Sequence, residues 1–231
     1  MAYSISPVEA QDVDLLVRKV EFPAHQDSLL YRLMFPHPKE QQWELREDEI
    51  RWTIDGLLET VYQEDEALYK ACGEDGLPVG LIGWTSQGAK GGDCIHSGPE
   101  FRGLVSQNGS EKRDKESSGV TKAMGYAVSH QSTWISSRLA HLSPLGITFM
   151  AVDPNHQRQG VGSTLMKSFC AYVDRNALDA FVLSSPAGIR LYSRFGFRAV
   201  GVVETEHGNF TSMLRTSGLV SGKTSSCPRE Q

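Results

Sequence analysis

The segment that most limits how this chain can fold runs from Leu145 to Gly162. Leu145 to Val152 is apolar or small throughout and lacks the polar alternation of a half-exposed strand, so it reads as a strand buried on both faces. Pro154 cannot donate to a sheet ladder, which ends the strand at the turn Asp153-Pro154-Asn155-His156. Gln157-Arg158-Gln159-Gly160-Val161-Gly162 follows, bringing a cationic side chain and two glycines, and then an amphipathic pattern in which Val161, Leu165, Phe169, Tyr172 and Val173 recur at helical steps. A helix that begins on glycines leaves free N–H groups at the positive end of its dipole, with no side chains in the way. Such a place suits a phosphate.

Common phosphate motifs do not fit. A P-loop needs Gly-Lys-Ser/Thr after its first glycine, and no lysine follows Gly160 or Gly162. The one Gly-Lys-Thr, Gly222-Lys223-Thr224, lies in a polar tail with Ser217 where the first glycine belongs. A dinucleotide fingerprint needs a third glycine, but Ser163-Thr164-Leu165 follows Gly162.

The chain of 231 residues is long enough for one substantial core. A formal net charge of −5 gives no reason to expect nucleic acid or an anionic membrane as partner. No apolar run reaches the roughly 18 residues needed to cross a bilayer, and Met-Ala-Tyr-Ser-Ile-Ser-Pro lacks the character of a secretory signal. Cys72, Cys94, Cys170 and Cys227 are far apart and form no C-x-x-C pair, so we expect free thiols in a cytoplasmic protein and no metal site. Cys170, on the apolar side of its helix, reads as core.

Along the chain, Tyr3 to Ser6 reads as a first strand. Ser6-Pro7-Val8-Glu9 reads as a helix start with Ser6 as cap and Pro23 as the stop. Glu40 to Tyr62 is a longer helix, with Trp43, Ile50, Ile54, Leu57, Leu58 and Val61 inward. Ala67 to Cys72 and Val79 to Thr85 form a hairpin across an acid-glycine turn. Ser86 to Thr133 is rich in Gly, Ser, Gln and charge; it is either a solvated insertion or a lid. Trp134 to Leu142 reads as a short helix. After the glycine-started helix come a strand at Leu178 to Ser184, a helix from Ser185-Pro186 stopped by Gly196, and strands at Phe197 to Val203 and Asn209 to Leu214. One domain over residues 1–215 and a polar, disordered tail over 216–231 are expected.

The combination at Leu145 to Gly162 resembles the acyl-CoA motif [RQ]-x-x-G-x-[GA] of the GNAT superfamily of N-acyltransferases. Downstream, Leu191-Tyr192-Ser193-Arg194-Phe195-Gly196-Phe197 resembles that family's second segment, L-Y-x-x-x-G-F. Two signatures in this order are far more specific than either alone. The likeness covers Leu142 to Leu214 well and extends more loosely to residues 3–85. It implies an α/β (α+β type) fold: a mixed, mostly antiparallel central sheet flanked by helices, with splayed strands forming the acyl-CoA cleft.

The resemblance also implies roles. The backbones of Met150 and Val152 would hold the pantetheine amides as a neighbouring strand does. Gln157, Arg158, Gln159, Gly160, Val161, Gly162 and Ser163 would surround the pyrophosphate. Ser185 stands where many relatives carry an asparagine that touches the pantetheine arm; as a helix N-cap it would have another use, which we favour. Tyr192 would donate a proton to the departing thiolate, since a phenol with a pKa near ~10 is protonated at neutral pH. The general base stays open among Glu204, His207, His141 and acids of the Glu40–Tyr62 helix, and His156 reads as turn structure. The implied activity is transfer of an acetyl group from acetyl-CoA to a primary amine of a small molecule, in a ternary complex. Protein N-termini or lysines as acceptors, or a non-catalytic acyl-CoA-binding module, are the alternatives. A monomer and a homodimer are equally compatible with the sequence.

Overall fold

The computed structural model describes residues 2–25, 28, 31, 42–85, 145–205 and 208–217. The expected insertion at 86–133, the helix at Trp134 to Leu142 and nearly all of the tail lie outside these residues. Strand β1 (Ser4–Pro7) leads into an unbroken helical segment, α1: a 3-10 turn (Ala10–Asp12), an α turn (Val13–Leu16), a π turn (Val17–Glu21) and a second α turn (Phe22–His25). Then follow α2 (Gln42–Tyr62), β2 (Glu66–Cys72), β3 (Pro78–Thr85), β4 (Leu145–Val152), α3 (Val161–Arg175), β5 (Ala180–Ser184), α4 (Ile189–Arg194), β6 (Arg198–Thr205) and β7 (Gly208–Arg215).

The described strands make one sheet in the order β1-β2-β3-β4-β5-β7-β6. Every neighbouring pair is antiparallel except β4 and β5. The parallel contact is what the chain order demands: α3 carries the chain from the end of β4 back to the start of β5. This is the mixed, mostly antiparallel α/β architecture that the sequence implies.

Two apolar cores sit on opposite faces of the sheet. On one face α3 lays Val161, Leu165, Met166, Phe169, Cys170 and Val173 against Ile82, Trp84, Leu145 and Ile147. The helical spacing of those α3 residues is the expected stripe, except that Tyr172 is 40% exposed and Met166 and Cys170 complete the buried set. On the other face α1 supplies Val13, Leu16, Val17, Val20 and Phe22, which pack with Leu57 of α2 and with Leu68, Leu81 and Ala151. Ile50, Ile54, Leu58 and Val61 line the same side of α2, as their spacing indicates.

Two boundaries near the N-terminus differ from expectation. β1 continues through Pro7, paired with Tyr69, because an outer strand tolerates a residue with no N–H. The helix therefore starts later, at Glu9, whose N–H donates to the Asp12 carboxylate at 2.8 Å, so Ser6 is not the cap. Nor does Pro23 stop the helix. The π turn just before it sends the Phe22 N–H to Val17 O, five residues back, and this wider ring gives the proline room where a regular helix would clash.

Candidate functional site

β4 is built in two halves. Its first half pairs with β5 through Leu145, Gly146 and Ile147, opposite Ala180, Phe181 and Val182. Beyond Ile147 it keeps β3 as partner but leaves β5. At the same place the register with β3 skips a residue: Ile147 faces Trp84, Phe149 faces Gly83, and Thr148 is the extra one. A β-bulge of this kind bends its strand and sharpens the local twist, which is the physical cause of the parting.

Main-chain direction follows from two hydrogen bonds. The Leu145 N–H donates to Asp179 O at 2.9 Å, towards β5, whereas the Asp153 N–H donates to Val79 O at 3.0 Å, towards β3. Counting back from Asp153 with the strand period of two, the peptide groups of Met150 and Val152 face away from β3 and into the gap. Both are residues that the sequence singles out. The Gln157 side chain already uses one of these groups, donating to Val152 O at 3.3 Å.

The strand end is fixed by Asp153, which is buried. Its carboxylate accepts from the Asn155 N–H at 2.9 Å and lies 3.1 Å from His156 Nδ1, opening the 3-10 turn Pro154–His156. In the following loop Arg158 (φ 62°) and Gly160 (φ 96°) are both left-handed. For arginine that conformation costs about 1–2 kcal/mol, and backbone strain of this kind clusters at ligand sites. Turns of this shape direct successive N–H groups to one side.

Gly160 is the residue before α3 and offers no capping side chain. The first intrahelical bond runs from the Thr164 N–H to Gly160 O at 2.9 Å, so Val161, Gly162 and Ser163 form the first turn, whose N–H groups have no acceptor within the helix. A Cβ on Gly162 would lie 3.3 Å from Leu191 Cδ2, 3.5 Å from Met150 Cε and 3.7 Å from Val152 Cγ2. The helix start therefore sits directly against the gap strand. The phosphate-type loop, Met150, Val152 and Leu191 of the second motif are thus one continuous surface.

Tyr192 lies on the same face of the sheet, within the α3 core. Its ring meets Phe197 edge-on at 5.8 Å and packs so closely over Gly188 that a Cβ there would come within 2.8 Å of Tyr192 Cε2. Burial raises the phenol well above its ordinary pKa, so it stays protonated. Among the described residues its hydroxyl has no hydrogen-bond partner.

Ser185 does not cap a helix. Its carbonyl accepts from the Gly188 N–H at 3.0 Å and from Ser184 Oγ at 2.8 Å, closing a turn, and α4 begins only at Ile189 with Gly188 before it. An extended serine before proline is compatible with a cap, but residues 186–188 close as a separate turn before the helix begins. The exposed Ser185 side chain remains at the end of β5, beside the place where β4 and β5 part.

Of the open base candidates, Glu204 is exposed on β6, and β5 and β7 separate it from the gap. His141 and His207 lie outside the described residues. His156 is occupied with Asp153. Glu47 of α2 is tied to Arg18 by a paired hydrogen bond at 2.7 and 3.0 Å. Thr148, the bulge residue, and Gly188, under the Tyr192 ring, shape this surface and were not singled out by the sequence. A lone threonine amid apolar strand residues was the available signal for the first.

A sheet opened at β4 with a glycine-started helix at its mouth defines a class, and comparison with known proteins agrees. Residues 119–199 match the Acetyltransferase (GNAT) domain family. Among solved structures, a Corynebacterium glutamicum protein described as histone acetyltransferase HPA2 and related acetyltransferase superposes with a TM-score of 0.62 at 15% identity, covering 94% of this chain and 97% of that one. The polyamine N-acetyltransferase of Drosophila melanogaster, which forms N-acetylagmatine, gives 0.62 at 15% identity over 93% and 100%. The PaiA N-acetyltransferase of Thermoplasma acidophilum, solved with coenzyme A, gives 0.52 at 12% identity over 94% and 99%. No curated protein matches the sequence. Residues 119–199 thus resemble a GNAT acetyltransferase domain, and the described residues share the fold of these solved structures.

Proposed function

We propose that the protein transfers an acetyl group from acetyl-CoA to a primary amine of a small molecule, by direct attack within a ternary complex. The observation that carries this reading is the gap beside β4, whose outward peptide groups at Met150 and Val152 run straight into the first turn of α3. Its elements match the parts of coenzyme A in order. A string of amides suits the free strand edge, and a pyrophosphate suits unpaired N–H groups beside Arg158.

Acetyl-CoA brings an activated thioester. The chain's own residues then have three tasks. Gap-facing N–H groups of β4 hold the coenzyme's amides and polarise the acyl carbonyl. Gln157, Arg158, Gln159, Gly160, Val161, Gly162 and Ser163 neutralise its phosphates, with Ser185 on the opposite wall. Tyr192 gives its proton to the sulfur as the C–S bond breaks. A covalent acyl-cysteine route finds no support in Cys72 or Cys170: both are buried, and burial raises both thiols. An amine of the polyamine type fits the chain's acidic balance, and one structural neighbour is described as a polyamine N-acetyltransferase that forms N-acetylagmatine.

The test combines calorimetry with coenzyme A and thiol release from acetyl-CoA over a panel of amines and N-terminal peptides. Binding together with amine-dependent release supports the reading. Binding without release on any acceptor makes the domain a coenzyme-binding module. No binding at all refutes the reading.

A further inference from the structure

The most unusual polar group outside the coenzyme surface is Glu21. Its side chain is 7% exposed and sits at the end of the π turn of α1, among Val17, Val20 and Phe22. Both carboxylate oxygens are used. Oε1 lies 3.2 Å from His25 Nδ1, and Oε2 lies 3.3 Å from the Tyr31 hydroxyl, which also lies 3.0 Å from Thr53 Oγ1 of α2. A carboxylate only accepts, so the His25 hydrogen is on Nδ1 and Nε2 carries the free lone pair. The imidazole stacks against Tyr31 with centroids 6.5 Å apart and is one-third exposed. It is held in one orientation, with its open nitrogen away from Glu21.

Position gives this pair its meaning. The Phe22–His25 turn packs against β4, on the face of the sheet opposite α3 and Tyr192. Phe22 belongs to the core that includes Ala151, with Phe149 packed against that core, and both of these β4 residues lie on the half that has left β5. One face of the sheet at β4 thus carries the core that holds Tyr192, and the other carries the helix turn that bears His25.

We propose that His25, oriented by Glu21, takes the proton from the acceptor amine. The inference rests on the acyl-transfer reading above and assigns the group that reading lacks. As the amine nitrogen bonds to the acyl carbon and the C–S bond breaks, the nitrogen's proton passes to His25 Nε2 and the sulfur receives one from Tyr192. His25 then releases its proton to water and Tyr192 regains one, so the sum is amide plus free thiol. Glu21 is a positioning residue: it fixes the tautomer and stabilises the imidazolium.

The experiment uses the full chain and bromoacetyl-coenzyme A, which carries an electrophilic carbon where the acetyl group would lie. Attack by Nε2 forms an N–C bond and expels bromide. Peptide mapping by mass spectrometry is expected to place the adduct on His25, with excess coenzyme A blocking it and His25→Asn abolishing it. Glu21→Gln should slow that alkylation by about tenfold, the worth of one hydrogen bond to a charged group, and remove the Nδ1–H signature from the imidazole 15N spectrum, while coenzyme A affinity is kept. Coenzyme A binding accompanied by alkylation elsewhere, or by none, overturns the assignment of His25 and leaves the acyl-transfer reading standing. Failure of coenzyme A to bind overturns both.

Discussion

Replacing Tyr192 by Phe removes one oxygen from a site where packing and chemistry can be separated. The ring makes its contacts with Phe197 and Gly188 through carbon, and those survive. The hydroxyl has no partner among the described residues, so its removal forfeits no bond there, and a stability change within about 1 kcal/mol is expected. Under the proton-donor role proposed above, the loss is of a positioned acid, worth about 10²-fold or more in turnover. We therefore expect a nearly unchanged melting temperature, coenzyme A affinity within about twofold, and kcat lowered about 10²-fold, the size of a lost general acid. A linkage signature should accompany it. Because burial raises the phenol, the folded state keeps a proton that the unfolded chain releases above about pH 10. Wild-type stability should fall as pH rises through that range, and the Phe variant should lose the Tyr192 share while keeping that of Tyr31, which burial also raises. Calorimetric melts from pH 7 to 11 and thiol-release kinetics read both effects. Turnover within threefold of wild type would refute the proton-donor role, and a large drop in melting temperature would show that the hydroxyl is structural.

Gly188→Ala puts a methyl 2.8 Å from Tyr192 Cε2 and 2.9 Å from Ser184 Oγ, so the ring must shift; expected are about 1–3 kcal/mol of destabilisation in denaturant melts and a fall in kcat without a matching rise in coenzyme Kd. Arg158→Gly relieves the left-handed strain of about 1–2 kcal/mol and should leave the protein no less stable. Calorimetry should at the same time show weaker coenzyme A binding and a shallower salt dependence.

The sequence and the structure agree where a local pattern has one physical solution. Pro154 ends β4, Gly160 precedes α3, and the α3 stripe meets the sheet, because each depends only on near neighbours along the chain. Ser185 before Pro186 has the local form of a cap, yet a separate turn over 186–188 intervenes and the helix begins at Ile189, with the Tyr192 ring packed over Gly188. Pro23 was misread because a π turn admits a proline that an α turn rejects. The Glu21 and His25 pair is four residues apart, a spacing that suits contact on one helix face. That Glu21 would be buried depends on Tyr31 and Thr53 arriving from elsewhere, which no periodicity in α1 encodes.

Thr148 carries the least visible instruction in the chain and the largest consequence. Leu145 and Asp153 are separated by an even number of steps, yet their N–H groups point to opposite sides of β4. Regular alternation over an even interval would point them the same way, so one residue must be absorbed, and the register identifies it as Thr148. Deleting Thr148 leaves every other residue of β4 facing as before, including Met150 and Val152, but takes away the bend. The straightened strand then continues beside β5, and peptide groups now open to the gap gain β5 as partner. The deletion should fold, with a melting temperature at or above that of the parent, while coenzyme A binding is lost. Hydrogen exchange should show Met150 and Val152 protected without any ligand, whereas in the parent chain they become protected only when coenzyme A is added. If the deletion variant binds coenzyme A with parental affinity, the bulge is not what opens the sheet, and the parting of β4 from β5 must be held by something other than the register.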